Sequence, residues 1–169
     1  MLPLILLIVV FVPMLVEARL ATRNDRALRS AGAIEPPDDV LRLMQAAYPA
    51  CFLAMVVEGW VRGSGVNLTF VAGAGLFALG KALKYWAIAT LGDRWTFRVL
   101  VPPQSTRIVA GPYRFLRHPN YVGVAGELAG MALMAQAPLT GVVAIAGFGA
   151  LMVQRIRVEE RELGTRGVS

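Results

Sequence analysis

Five stretches of this sequence are apolar over close to the length a helix needs to cross a bilayer. No other feature limits its fold as tightly. Such a helix takes roughly 17–25 residues. The runs extend from Leu2 to Val16 and on toward Leu20 through Glu17 and Arg19, and from Val40 to Val61 with Pro49 and Glu58 inside. The others run from Val66 to Thr90 with Lys81 and Lys84 in the last third, from Asn120 to Ala135 with Glu127 inside, and from Leu139 to Val153. The hydrophobic fraction of 56% and mean hydropathy of +0.58 exceed what a soluble domain carries. The expected fold is all-α: a polytopic membrane bundle of about five transmembrane helices.

The connections pair these runs. Arg62-Gly63-Ser64-Gly65 predicts a tight hairpin between the second and third, and Gln136-Ala137-Pro138 another between the fourth and fifth. The polar segment Ala21 to Asp39 separates the first two runs, with Pro36-Pro37-Asp38-Asp39 reading as a turn and helix start. A long amphipathic segment, Leu91 to Pro119, follows the third run, and a charged tail, Arg155 to Ser169, follows the fifth.

Seventeen basic residues against eleven acidic ones give a formal charge of +6. With no soluble basic surface and no reader motif, this excess does not point to nucleic acid. It points to topology. The basic residues collect after the first, third and fifth runs, and the opposite face holds only Arg62. Basic loops stay cytoplasmic, so the N-terminus is expected outside and the C-terminus inside. The N-terminal run lacks a basic stretch ahead of it, so a retained helix rather than a cleaved leader is expected. Only Lys81 and Lys84 are lysines, a composition that suggests a high-GC bacterium and hence its inner membrane. The single Cys51 lies in an apolar run, so no thiolate metal cluster is expected.

Gly73-Ala74-Gly75 with Gly80, and the Gly126-xxx-Gly130 pair, do not lie between a strand and a helix, which excludes a dinucleotide loop. Small residues at helix interfaces are the better reading. Whether the Gly126 pair serves contact within one chain or between two stays open, and with it the oligomeric state.

Two charged segments border the last hairpin. The first, Gly111 to Gly123, places the only histidine, His118, between Arg117 and Pro119 at the mouth of the fourth run. Pro119 suits a first helical turn, whose free N–H groups accept a carboxylate. The second, Arg155 to Leu163, contains the pair Glu159-Glu160. On residue chemistry alone each is either a ligand site or a solvated anchor with i,i+3 and i,i+4 charge pairs.

Gly-Pro-Tyr-Arg-x-x-Arg-His-Pro-x-Tyr-x-Gly, followed after a helical hairpin by Arg-Ile-x-x-Glu-Glu-x-x-Leu, resembles the isoprenylcysteine carboxyl methyltransferase family of integral membrane methyltransferases. Lys84 to Gly92 is similar to the segment that ends the preceding helix in such proteins, so the resemblance spans roughly Gly80 to Leu163. Ahead of the resemblance, the apolar runs predict an N-terminal unit of two spans and a cytoplasmic loop in residues 1–65. The resemblance implies a methyltransferase core of three spans and a C-terminal helix in residues 66–169. It also implies a cytoplasmic-face pocket for S-adenosylmethionine, released as S-adenosylhomocysteine. By the same resemblance His118, Tyr121, Glu159 and Glu160 bind that cofactor, with Arg117 and Pro119 in the same wall. A carboxylate suits the cofactor's amino group, and an arginine or helix N–H groups suit its carboxylate. Tyr113, Tyr121 or Trp95 suits the sulfonium or the adenine.

Methyl transfer from a sulfonium is an in-line displacement that asks the protein chiefly for positioning in a dry site. For a carboxylate acceptor, Arg94 or Arg98 is the expected orienting residue. For a phenol or enol a base is useful, and Glu127, an ionisable residue inside a span, is the expected candidate. Its alternative role is as a structural partner for an arginine, Lys81 or Lys84. Glu58 has the same two readings. The expected activity is O-methylation of a lipophilic acceptor that enters from the bilayer. That acceptor is an isoprenylcysteine-type carboxylate, or a bacterial isoprenoid or phenolic lipid, an alkylated pyrone included. The alternatives are a phospholipid N-methyltransferase and a non-enzymatic scaffold for anionic headgroups.

Overall fold

The computed structural model describes residues 1–33, 35, 40–98, 100 and 108–166, with side chains as far as Glu160. The predicted turn at Pro36-Pro37-Asp38-Asp39, Arg107 and the side chains beyond Glu160 lie outside the described residues. Five helices dominate: α1 (Leu2–Ser30), α2 (Leu41–Val61), α3 (Leu68–Leu91), α4 (Pro119–Met134) and α5 (Pro138–Arg166). Short 3-10 turns at Gly92–Arg94 and Gly111–Arg114 interrupt the α3–α4 connection. No strand occurs among the described residues.

Helices α1, α2 and α5 are long and apolar enough to cross a membrane. Of the five expected spans, those of α3 and α4 do not meet that measure among the described residues. Helix α3 holds Lys81 and Lys84, and α4 is only 16 residues long. They form the most intimate pair in the bundle because glycine lets their backbones touch. A Cβ on Gly130 would stand 2.5 Å from the Phe77 backbone nitrogen, and one on Gly80 would stand 2.8 Å from the Gly123 carbonyl. Gly126 packs on Gly80 as well. The small-residue stripe thus serves contact within the chain.

Two boundaries depart from the sequence reading. Helix α1 does not end near Leu20; it continues to Ser30, through the arginine-rich stretch. The cause is a buried stripe of Glu17, Ala21, Asn24 and Leu28, spaced for one helical face. Asn24 donates to the Gly92 carbonyl at 3.1 Å and to the Trp95 carbonyl at 2.8 Å, which docks this extension on the end of α3. Helix α5 likewise continues from the fifth apolar run through the charged tail without a break.

The helix ends follow local chemistry. Gly63, at φ +68°, closes α2 in the left-handed conformation, and Asn67 caps α3 by accepting from the Phe70 N–H at 3.0 Å. Glu58 plays a structural part, since its carboxylate accepts from the Leu139 and Thr140 N–H groups and the Thr140 hydroxyl. It therefore caps α5 from a neighbouring helix. The core between the helices is made of Phe52, Met55, Leu128 and Met131, all almost completely buried.

Candidate functional site

Helices α3 and α4 run antiparallel, as do α4 and α5. The C-terminal ends of α1, α3 and α5 and the N-terminal ends of α2 and α4 therefore share one end of the bundle. There a cavity of about 350 Å³ opens among all five helices and the start of the α3–α4 connection. Most of its wall is apolar, with Met14, Met44, Val124 and Phe148 contributing. Its polar lining falls into two groups on different helices.

The first group comes from the last hairpin. Pro119 occupies the first turn of α4 as its fixed φ favours, and it is fully buried. That turn aims Tyr121 at α5, where its hydroxyl donates to Glu159 at 2.6 Å. His118, just ahead of the helix, lies between the glutamate pair, with Nδ1 3.4 Å from Glu159 and Nε2 3.3 Å from Glu160. The hydrogen bond to Glu159 raises the His118 pKa above its ordinary value, against the effect of partial burial, and Glu160 adds to the rise. Arg117 reaches Glu160 at 3.6 Å on the exposed side. Tyr113, half-buried near Glu159, has its phenol pushed up to about 12 by burial and by that carboxylate. The fold thus brings Arg117, His118 and Tyr121 together with Glu159 and Glu160 from across the hairpin, with 38 residues between Tyr121 and Glu159 and 42 between His118 and Glu160.

Three further residues join this group without having been assigned a site role from the sequence. Arg155, buried, donates to the Phe97 carbonyl and lies 3.8 Å from Glu159, one helical turn along. Asn120 lines the cavity, and its buried Oδ1 has no hydrogen-bond partner. Phe97 meets Trp95 edge to face, with centroids 5.3 Å apart, on the same wall. A histidine or a glutamate pair is conspicuous in a sequence. An asparagine beside a proline is not, and only its position beside the cavity distinguishes it.

The second polar group lies deeper in the bundle. Lys84 on α3 sits 2.6 Å from Glu17 of α1 and 3.1 Å from Glu127 of α4. Lys81 joins the same two carboxylates at 2.8 and 2.9 Å. The Tyr48 hydroxyl donates to Glu127 at 2.7 Å. Two carboxylates and two ammonium groups thus interlock α1, α3 and α4, with α2 attached through Tyr48. Glu127 is 1% exposed. The expected catalytic Glu127 is accordingly held by both lysines, the alternative role read from the sequence. It is Glu17, Lys84 and Tyr48 that line the cavity.

The arginines expected to orient a carboxylate acceptor lie elsewhere. Arg98 pairs with Asp25 at 2.9 Å and also with Glu35, which Arg29 engages from the other side. Those contacts hold Glu35 below the ordinary carboxylate range against its desolvation. Arg94 is exposed in the 3-10 turn that follows α3. Both arginines belong to the connection beside the α1 extension, and neither is among the described lining residues.

Comparison with known proteins covers the same part of the chain. The model of the isoprenylcysteine carboxyl methyltransferase (ICMT) family matches residues 73–165, from early α3 to the end of α5. An uncharacterized protein YpbQ of Bacillus subtilis (strain 168) is 26% identical over 159 residues, covering 94% of this chain and 95% of its own. An uncharacterized protein of Haemophilus influenzae is 26% identical over 142 residues, covering 83% of each. No solved structure matches.

Proposed function

The chain belongs to the isoprenylcysteine carboxyl methyltransferase family, and from that premise we propose that it is an S-adenosylmethionine-dependent O-methyltransferase acting on a lipophilic acceptor. One observation carries this reading beyond the family match. The family's motif residues His118, Tyr121, Glu159 and Glu160 converge, and Tyr121 and Glu159 line a cavity whose remaining wall is largely apolar.

The residues fit the cofactor. Glu159 and Glu160 suit its ammonium group, and Arg117 and the first turn of α4 suit its carboxylate. Tyr121, Tyr113 and Trp95 offer aromatic faces for the sulfonium or the adenine. The unpartnered Asn120 Oδ1 supports the same fit, because a buried acceptor without a donor is costly until one arrives. Pro119 keeps the motif in register at the head of α4. S-adenosylmethionine supplies an electrophilic methyl group. The protein supplies position and dryness: Met14, Met44, Val124 and Phe148 exclude water from the space beside the motif.

A lipophilic acceptor is favoured by the same wall and by its lateral reach. Leu15 lines the cavity yet is 58% exposed on the outer face of α1, so the apolar path continues toward the bilayer side. Orientation follows from charge, with the arginine-rich ends at the cytoplasmic face and the N-terminus outside. The test is incorporation of labelled methyl from S-adenosylmethionine into a host lipid extract by the purified protein. The reading expects a labelled lipid that depends on His118 and Glu159. A lipid fraction without label, or label that persists in both alanine variants, would overturn it.

A further inference from the structure

Another cavity lies at the end of the bundle away from the cofactor motif. It is an open groove of about 530 Å³. Ala129 and Leu133 of α4 form one wall, and Val142 and Ile145 of α5 form the other. Small residues make its floor: a Cβ added to Gly141 would stand 2.6 Å from the Cβ of Ala132.

Acyl chains of every lipid suit such walls, so selection falls to the polar rim. There Arg62 borders the groove, with Thr69 and Gln136 beside it. Arg62 is the only basic side chain that the sequence places at this end, and it is exposed. The acidic residue in its field is Glu58. That carboxylate already accepts from the Leu139 and Thr140 N–H groups and the Thr140 hydroxyl. Its charge is therefore met by the positive end of α5. The Arg62 guanidinium makes no ion pair among the described residues, which leaves it turned to an anion from outside.

Helix length points to the same occupant. The 16 residues of α4 extend about 24 Å, short of a hydrocarbon core about 30 Å thick. With the motif end of α4 at the arginine-rich surface, the shortfall falls on the hairpin at Gln136. A helix that falls short draws lipid headgroups toward its end.

We propose that this groove binds an anionic phospholipid of the leaflet opposite the cofactor face. One acyl chain lies between α4 and α5, and the phosphate meets Arg62 in a charge-assisted hydrogen bond. The Thr69 hydroxyl is a neutral donor beside it. So is the Gln136 amide, which the Gly65 carbonyl holds at 2.6 Å. A zwitterionic lipid carries the same phosphate, but its own cation offsets what Arg62 would gain. The site stands apart from methyl transfer, so neither reading depends on the other.

The test uses the full-length chain in phosphatidylcholine vesicles, carrying Cys51→Ser and one fluorophore on Val142→Cys. Dibrominated phosphatidylglycerol and dibrominated phosphatidylcholine are compared as quenchers at equal mole fraction. A fluorophore placed instead on Ile5→Cys, exposed on α1 near the same surface, reports ordinary boundary lipid. At Val142 phosphatidylglycerol should bind about fivefold more tightly than phosphatidylcholine, the worth of one arginine to an anionic lipid. At Ile5 the two lipids should quench alike. Arg62→Gln should abolish the preference at Val142 and leave quenching by phosphatidylcholine unchanged, which a general loss of structure would not do. Equal quenching by both lipids at Val142, the same preference at Ile5, or a preference that survives Arg62→Gln would overturn the proposal. So would a Val142 probe shielded from both lipids that transfers energy between labelled copies, because a second chain would then fill the groove. The comparison of the two probes stands even where the Arg62 variant does not fold.

Discussion

The Tyr121 hydroxyl donates to Glu159 across 2.6 Å, and that bond joins the first turn of α4 to the polar end of α5. Because Glu159 also faces His118 at 3.4 Å, one carboxylate organises both Tyr121 of α4 and the histidine just ahead of it. The hairpin between them is closed at its other end by Glu58, which caps α5. The site is therefore fastened at both ends of the helices that carry it.

His118 gives this arrangement a pH dependence whose sign is fixed. Its native pKa is raised above the ordinary 6.5, chiefly by the hydrogen bond to Glu159. A raised pKa means the charged imidazole stabilises the fold in full below about 6.5, and that contribution is lost as pH rises through the native value. The melting-temperature difference between wild type and His118→Ala should accordingly be larger at about pH 6 than at about pH 9. Differential scanning fluorimetry in detergent at the two pH values checks it.

The buried network should respond to its balance rather than to any one residue. Lys84→Met leaves Glu17 and Glu127 with a single lysine, and an uncompensated buried charge costs about 3–5 kcal/mol. Adding Glu127→Gln restores neutrality, so the double variant should recover much of that loss. Unfolding in detergent of wild type, both single variants and the double variant reads the coupling directly.

Close approach of α3 and α4 makes glycine irreplaceable at one position and idle at another. Gly130→Ala drives a methyl against the Phe77 backbone at 2.5 Å and should cost about 1–3 kcal/mol, the usual range for overpacking. Gly149→Ala, with nothing within 4 Å, should leave stability unchanged or slightly raised. Paired thermal melts decide the matter.

Asn24→Ala would strip the buried Trp95 carbonyl of its side-chain donor, while the Gly92 carbonyl keeps the Trp95 N–H. Unsatisfied buried acceptors cost about 1–3 kcal/mol, and the loss should fall on the cavity mouth. Trp95, 2% exposed, should then become more accessible to a fluorescence quencher such as acrylamide.

Much of this was legible in the residues. Hydropathy placed α2, α3 and α4 to within about two residues. Gly63 and Pro119 marked boundaries by backbone chemistry that does not depend on tertiary contacts. The His118 and Glu159 segments stood out because their residue types are rare beside apolar runs. What failed to show is what depends on distant partners. Glu17 reads as the polar end of a span until Lys81, 64 residues away, is seen beside it. The continuation of α1 to Ser30 is concealed because its arginines face outward while Ala21, Asn24 and Leu28 bury the other side. Arg98 looks available for a ligand until Asp25 and Glu35 are found around it.

The convergence of His118, Tyr121 and Glu159 is held here to be a binding site for S-adenosylmethionine. Isothermal titration of the detergent-purified protein with that cofactor tests it most directly, with His118→Ala and Glu159→Ala as companions. The expected result is saturable one-to-one binding by wild type, weakened at least about tenfold in each variant, which corresponds to about 1.4 kcal/mol. Wild type that does not bind, or variants that bind as tightly as wild type, would contradict it.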